Sequence, residues 1–166
     1  MSLYIIGYDS TVATDIPTNA EVVMGYADGL YQWHGQSWDR FPNAKKIRIA
    51  TSSLTYDARV LDVEKFDATA QEALSWIAIR RWQILGKSSP HSLAIYTSFD
   101  NMHTIIREFQ DADLDIPNFI IAWWNNNPKW IESQPPYVVG HQYANPPQSG
   151  GHYDKTIFQT SWVNLS

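Results

Sequence analysis

Short apolar runs, each bounded by turn residues, are the feature that most constrains the fold of this sequence. Seven of them are too short for helices and have the composition of buried strands: 4–8, 22–26, 47–51, 59–63, 93–97, 119–123 and 137–143. A weaker eighth run covers 156–163. The sequence therefore predicts a sheet of about eight strands. The Pro-, Gly- and Asn-rich segments 125–136 and 145–151 are expected to be loops at one end of that sheet.

The middle of the chain alternates predicted strands with two helix patterns. Thr69 and Glu72 have the spacing of a capping box before one apolar periodic segment, and Gly86 is a typical residue to end it. A second helix fits residues 100–112, whose apolar residues recur on one face. A strand–helix–strand–helix–strand order is typical of right-handed units around a parallel sheet.

Strand number and chain length together predict a reduced barrel. Eight strands suggest a (β/α)8 barrel of the TIM type, which typically needs about 250 residues, whereas this chain has 166. Only residues 54–58 separate the third and fourth strands, so no crossover helix fits between them. We therefore expect a single α/β domain over 1–166, a TIM-like barrel with several helices shortened or replaced by loops. An open, doubly wound sheet is the alternative.

Composition excludes several classes of chemistry. The chain has no cysteine, which removes thiolate metal sites, iron–sulfur clusters and cysteine nucleophiles. Its net charge is -5 and no run of Lys or Arg exceeds two residues, so nucleic acid is not an expected partner. No apolar run approaches the roughly 18 residues of a membrane span. Nucleotide-binding glycine motifs are absent and the five histidines lack metal-ligand spacing, so neither a cofactor nor a metal is expected.

Carboxylates close two of the predicted strands. Side chains alternate along a strand, so Leu61 and Val63 face one side while Asp62 and Glu64 face the other. If the apolar pair faces the covering helices, both acids point into the barrel, at the end where barrel enzymes carry reactive groups. Asp9 closes the first strand in the same way. The more buried acid of a repelling pair should keep its proton near neutral pH and can act as a general acid. Capping of loop amides is the alternative role.

Aromatic residues make up 14% of the chain, and several are predicted at strand ends. Trp123 and Trp124 close the sixth strand, and others follow the second strand. Flat aromatic rings can stack on the C–H faces of sugars, so Trp124, beside three asparagines, is interpreted as a binding residue. Trp76 and Trp82 on the first long helix are expected to fill the core instead.

Six short motifs follow one another along nearly the whole chain. They are Tyr8-Asp9-Ser10, Asp62-Val63-Glu64, Ile95-Tyr96-Thr97-Ser98, Ile121-Ala122-Trp123-Trp124, Gln142-Tyr143, and Gly151-His152-Tyr153-Asp154 with a following aromatic. In this order they resemble the family 25 glycoside hydrolases, the lysozyme-type muramidases of bacteriophage endolysins and bacterial wall hydrolases.

The resemblance implies hydrolysis of the β-1,4 bond between N-acetylmuramic acid and N-acetylglucosamine in peptidoglycan. Carried over by motif, Glu64 is the general acid, Asp62 assists at the N-acetyl group or the anomeric carbon, and Asp9 and Asp154 line the neighbouring subsite. Assistance by the 2-acetamido group of the substrate is the mechanism usually proposed for this family, and it suits two acids on one strand. The residues predicted to bind the glycan are Tyr26, Tyr96, Trp124, Gln142 and Tyr143.

Departures from the family pattern keep a second hypothesis open. The chain is short, lacks a helix between its third and fourth strands, and carries His141 in place of the usual Trp before Gln-Tyr. The alternative is a non-catalytic glycan-binding or virion-associated module, and a third reading is hydrolysis of a different glycan. The expected partner is the glycan strand of peptidoglycan, bound by a monomer away from membranes. Because the first residues lack a signal-peptide pattern, we expect a protein secreted or released to the wall by another route, as a phage-encoded enzyme is.

Overall fold

The computed structural model describes residues 2–86 and 89–165, and its centre is a closed barrel of eight strands. The strands are β1 (Tyr4–Asp9), β2 (Val22–Tyr26), β3 (Lys45–Ala50), β4 (Val60–Asp62), β5 (Ala94–Ser98), β6 (Asn118–Ala122), β7 (Val138–Ala144) and β8 (Asp154–Gln159). Each overlaps a strand predicted from the sequence, because the short apolar runs are the segments that the barrel buries.

Strands β1 to β7 pair in chain order and run parallel to one another. Strand β8 runs antiparallel to both of its neighbours, β7 and β1, and closes the barrel. The nine-residue link 145–153 is too short for the crossover that a parallel pair requires, so β8 must start at the end where β7 stops. The molecule is therefore a closed, mixed barrel of the α/β class, and the open doubly wound sheet is wrong.

Helices cover only part of the barrel. They are α1 (Gly35–Asp39), α2 (Ala70–Gln83), α3 (Phe99–Asp111) and α4 (Thr160–Val163). Helix α2 connects β4 to β5 and α3 connects β5 to β6, as predicted, while residues 51–59 between β3 and β4 form a loop. The capping box is present: Thr69 Oγ1 accepts the Glu72 amide at 3.2 Å, and the Glu72 carboxylate accepts the Thr69 amide at 2.8 Å.

The apolar core has two layers that follow from strand alternation. Val60 packs inside the barrel, together with Met24, Ile49 and Ile120 of other strands. Leu61 packs outside the barrel wall. The outer layer buries the apolar faces of α2 and α3, including Trp76, Ile77, Ile105 and Phe109. Because Val60 is inside and Leu61 outside, the side chain of Asp62 returns to the inside, as the alternation predicts.

Phe158 of β8 fills the middle of the barrel and explains two glycines in the strands around it. A Cβ atom at Gly7 would come 2.6 Å from the Phe158 ring, and one at Gly140 would come 2.9 Å from it. Both distances are too short for carbon atoms, so these strands need glycine for the ring to enter. The ring forms a floor beneath the residues at the barrel mouth, defined here as the end where β1 to β7 finish.

Three local predictions are wrong. Trp82 is 77% exposed, whereas Trp76 is fully buried, because two residues six apart on a helix face different directions. The predicted strand 156–163 ends at Gln159, and Thr160–Val163 is helical. Segment 125–136 does not stay at one end of the sheet. Because β6 and β7 are parallel, it must cross from the mouth to the opposite end, and it contains a 3-10 helix at Pro128–Ser133.

No helix within residues 2–86 and 89–165 combines the length and the apolar character needed to cross a membrane.

Candidate active site

Four carboxyl groups from three strands meet at the barrel mouth. Asp9 ends β1, Asp62 ends β4, and Glu64 follows two residues later on the same side of the chain. Asp154 is the first residue of β8, and it is the direct pairing partner of Asp9. Since β8 is antiparallel, its first residue lies where the parallel strands end. The fold thus brings together all four acids singled out in the sequence.

Asp62 is the most deeply buried of these acids, with 3% of its surface exposed. Burial raises the pKa of Asp62 to about 9, and the negative charges of Glu64, Asp67 and Asp9 add to the effect. Its Oδ1 atom is buried without a hydrogen-bond partner in the described part of the chain. Asp62 is therefore a protonated carboxyl at neutral pH, with one buried oxygen that lacks a hydrogen-bond partner among the described residues.

Asp9, on the other side of the mouth, is also a buried carboxyl with a raised pKa. Burial and the neighbouring Asp154 raise the pKa of Asp9 to about 8, while a hydrogen bond from the Gln142 amide opposes that rise. Its Oδ1 atom is also buried and unpartnered within residues 2–86 and 89–165. Burial raises the pKa of Asp154 to about 6. Two carboxyl groups held together in a protein interior favour sharing a proton over carrying two charges.

Glu64 is half-buried and remains in contact with solvent. Burial raises the pKa of Glu64, and the nearby Asp67 raises it further. Glu64 also lines a cleft of about 660 Å³ beside the connection from β4 to α2, together with Phe66, Ser98 and Asn101. Of the two acids at the end of β4, Glu64 is thus the more accessible to an incoming ligand, and its raised pKa favours the proton-carrying form needed of a general acid.

Gln142 joins four elements of the mouth through its side-chain amide. The amide nitrogen donates to Asp9 Oδ2 at 3.0 Å. The amide oxygen accepts the Tyr96 hydroxyl at 2.9 Å and Trp124 Nε1 at 2.7 Å. One side chain on β7 therefore fixes an acid on β1, a phenol on β5 and an indole after β6. Donor and acceptor are both used, so the orientation of the amide is determined.

Tyr26 and Tyr96 form the inner wall of the mouth beside the acids. Burial raises the pKa of both tyrosines, and the charges of Asp9 and Asp62 add to it, so both phenols remain neutral hydrogen-bonding groups. The ring of Tyr26 lies 6.3 Å from that of Tyr31, centre to centre.

Trp124 belongs to the site, whereas its neighbour Trp123 does not. The indole nitrogen of Trp124 is held by Gln142, and the side chain is 54% exposed, so a ring face remains open at the mouth. Trp123 points to the outside of the barrel, where it stacks on Phe99 at 5.3 Å between ring centres.

Tyr143 is the predicted binding residue that the structure does not bring to the acids. Its neighbour Gln142 points into the barrel, and a shift in strand register follows between Gln142 and Ala144. The Tyr143 ring lies 6.2 Å from His141, whose own ring packs 4.5 Å from Trp130 on the outer side. Tyr143 therefore lies on the outer surface of the wall, because alternation along β7 places Gln142 and its neighbours on opposite faces.

Asp67 is a member of the charged group that the sequence reasoning did not include. Its charge raises the pKa of both Asp62 and Glu64, and burial raises its own. The sequence did contain a signal for this residue. Asp67 follows Glu64 by three residues, in a short connection that must turn back before α2 begins.

Exposed apolar side chains surround the mouth on the loops that follow β1, β2, β3, β4 and β6. They are Val12, Leu30, Tyr31, Leu54, Phe66 and Trp124. An apolar rim around a polar centre is typical of a surface that binds a ligand with both apolar and polar faces. Within residues 2–86 and 89–165, no group of three or more His, Asp or Glu side chains has the arrangement of a metal site.

Comparison with known proteins gives a structural neighbour of unknown role. No protein-family model matches the sequence, and no curated protein matches it. The fold is similar to a 1.07 Å crystal structure of an uncharacterized protein of B. stearothermophilus, with a TM-score of 0.57 and 14% sequence identity. The similarity covers 98% of this chain and 100% of the other. At this identity the similarity concerns the fold alone.

Proposed function

We propose that the protein is a glycoside hydrolase of the lysozyme type, an N-acetylmuramidase that cleaves β-1,4 bonds in peptidoglycan. The observation that carries the proposal is the meeting of Asp9, Asp62, Glu64 and Asp154 at one barrel mouth, beside the exposed ring of Trp124. The barrel is interpreted as a reduced TIM-like (β/α)8 barrel in which, over residues 2–86 and 89–165, only two crossovers keep long helices. Catalytic groups at the carboxyl ends of its strands agree with that interpretation.

In the proposed reaction Glu64 is the general acid. Its proton passes to the glycosidic oxygen as the bond from that oxygen to the anomeric carbon breaks. The acetamido oxygen of the substrate forms a bond to the anomeric carbon, and water later opens this intermediate while the Glu64 carboxylate takes up the water proton. The raised pKa and partial exposure of Glu64 support this role, since the acid must be both protonated and within reach of the substrate.

Asp62 supplies a polar contact to the acetamido group. Its carboxyl is neutral at physiological pH and its Oδ1 has no partner in the described chain, so it can hydrogen-bond a substrate amide without adding a buried charge. Asp9 and Asp154 line the adjoining subsite. Trp124, fixed by Gln142, offers an apolar ring to a sugar face.

Glu64→Gln tests the proposal. Glutamine keeps the size and most hydrogen bonds but cannot give an acidic proton, so sugar-end release from purified Gram-positive walls should fall by 10²- to 10⁴-fold, about 3–5 kcal/mol in the barrier. Wild-type activity should also fall as pH rises through the pKa of Glu64. The matched control is Glu108→Gln on the outer face of the molecule in α3, which should keep full activity.

Two outcomes contradict the proposal in different ways. Equal sugar release by wild type and Glu64→Gln at equal thermal stability removes Glu64 from the acid role. Binding of walls by both proteins, without release of sugar ends by either, favours the glycan-binding module.

A further inference from the structure

Phe66 occupies a backbone conformation that phenylalanine rarely adopts. Its φ angle is +79°, in the left-handed region. The Asp67 amide donates to the Glu64 carbonyl at 3.2 Å, which makes Phe66 the third residue of a four-residue turn. A positive φ at that place normally selects glycine or asparagine, because a Cβ atom crowds the backbone there.

Burial of the Phe66 ring in the core does not offset the cost of that backbone conformation. Phe66 is 92% exposed, the largest exposed fraction among the large apolar side chains that surround the mouth. Its one described ring contact is the Lys65 ammonium group, 4.9 Å from the ring centre. A strained and solvent-exposed aromatic contributes little to folding, so its presence calls for an explanation outside stability.

The position of Phe66 supplies that explanation. The turn is attached directly to the two acids at the end of β4. Glu64 is the first residue of the turn, and the amide of Ala68, just after the turn, donates to the Asp62 carbonyl at 3.3 Å. Phe66 and Glu64 line the same 660 Å³ cleft. A flat apolar ring beside a general acid suits the C–H face of a pyranose whose glycosidic oxygen meets that acid.

We propose that Phe66 is a sugar-binding residue, which stacks on the pyranose next to the bond protonated by Glu64. This inference rests on the proposed glycosidase function. It assigns to the β4–α2 turn a subsite separate from Trp124, which follows β6. The turn holds the ring in solvent at the edge of the cleft, and the unfavourable backbone conformation is the consequence of that exposed position.

Phe66→Asn and Phe66→Trp separate the ring from the turn. Asparagine tolerates the positive φ and removes the ring, whereas tryptophan keeps a ring in the same strained turn. For sugar-end release from solubilised peptidoglycan, Phe66→Asn should raise KM by about two- to tenfold with kcat nearly unchanged, and its Tm should be equal to or above that of the wild type. Phe66→Trp should keep a wild-type KM. Trp82→Gln, which removes an exposed aromatic from the outer side of α2, is the matched control and should change nothing.

Each result has one meaning. An unchanged KM for Phe66→Asn in an active protein overturns the stacking role and leaves the glycosidase proposal intact, and so does an equal loss in Phe66→Trp. If the protein binds walls without cleaving them, the glycosidase proposal fails, and the inference about Phe66 fails with it because Glu64 then protonates no bond. If the wild type neither cleaves nor binds any wall glycan, the proposed function fails and the sugar subsite fails with it.

Discussion

Gln142 shows how much of the candidate site depends on one neutral residue. Its amide is the common partner of Asp9, Tyr96 and Trp124. The residue itself is fully buried, so these hydrogen bonds do not compete with water inside the wall. A single side chain therefore sets the spacing between the acids on one side of the mouth and the aromatic residues on the other.

Gln142→Met keeps the volume and removes all three hydrogen bonds. The buried Asp9 carboxyl and Tyr96 hydroxyl then lose a partner, and each such loss typically costs about 1–3 kcal/mol. We expect a decrease of about 3 kcal/mol in the free energy of unfolding, measured by urea titration. Gln110→Met, on the exposed side of α3, is the control and should stay within about 0.5 kcal/mol of the wild type. Equal midpoints for the two variants would show that the network contributes nothing to stability.

At the scale of elements, Arg59 holds α4 against the closed end of the barrel, opposite the mouth. Its guanidinium donates from Nε to the Ser92 carbonyl at 2.7 Å and from the terminal nitrogens to the carbonyls of Trp162 and Val163. It also lies 4.0 Å from the Trp162 ring centre, a cation–π contact. Burial lowers the pKa of Arg59 to about 10, which leaves it charged at neutral pH. These contacts join the start of β4 to the end of the chain.

Arg59→Lys keeps the charge and loses the planar fork that reaches three carbonyls. Hydrogen bonds from charged donors are worth about 1.5–3 kcal/mol each, and a partly desolvated cation–π contact is worth about 1–2 kcal/mol. We expect the free energy of unfolding, measured by thermal denaturation, to fall by about 2–4 kcal/mol. Hydrogen exchange at the amides of Asn164 and Leu165 should become faster. Arg107→Lys, exposed on α3, should leave both measurements unchanged. Exchange that accelerates uniformly over the barrel, and not at α4 first, contradicts this role.

At the scale of the whole molecule, the buried acids link stability to pH. The folded protein keeps protons on Asp62 and Asp9 to about pH 9 and pH 8, whereas in the unfolded chain aspartate loses its proton near pH 4. Between these values the folded state binds more protons than the unfolded state, so the free energy of unfolding falls as pH rises. Most of the decrease should lie between about pH 4 and pH 9, with no further contribution from these groups above that range.

Asp62→Asn removes one of those protons while keeping the shape of the side chain. Each group that stays protonated contributes a slope of up to about 1.4 kcal/mol per pH unit. The variant should therefore be more stable than the wild type at pH 8 and lose stability less steeply between pH 5 and 8, as measured by urea titrations across that range. Asp111→Asn, exposed at the end of α3, is the control and should follow the wild-type curve. Parallel curves for Asp62→Asn and the wild type would mean that Asp62 is ionised in the folded protein.

Local patterns in the sequence were sufficient for most elements and for the direction of the acids on β4. The capping box of α2 spans four residues, and the alternation that sends Leu61 outward and Asp62 inward acts between neighbours. Such patterns are set by backbone geometry within one element, so they can be read without knowing the fold. The prediction of β8 extended too far, because the apolar residues Trp162 and Val163, which follow a polar stretch, belong to the buried face of α4 and not to the strand.

Only the tertiary structure decided which of the strand-end residues share the mouth. Gln142 contacts Tyr96 across 46 residues of chain and Asp9 across 133. The sequence contained the acids but not the antiparallel β8 that pairs Asp154 with Asp9, nor the depth of burial that raises the pKa of Asp62. Closure of the barrel determines these features, because strand pairing and desolvation depend on segments that are far apart in the chain.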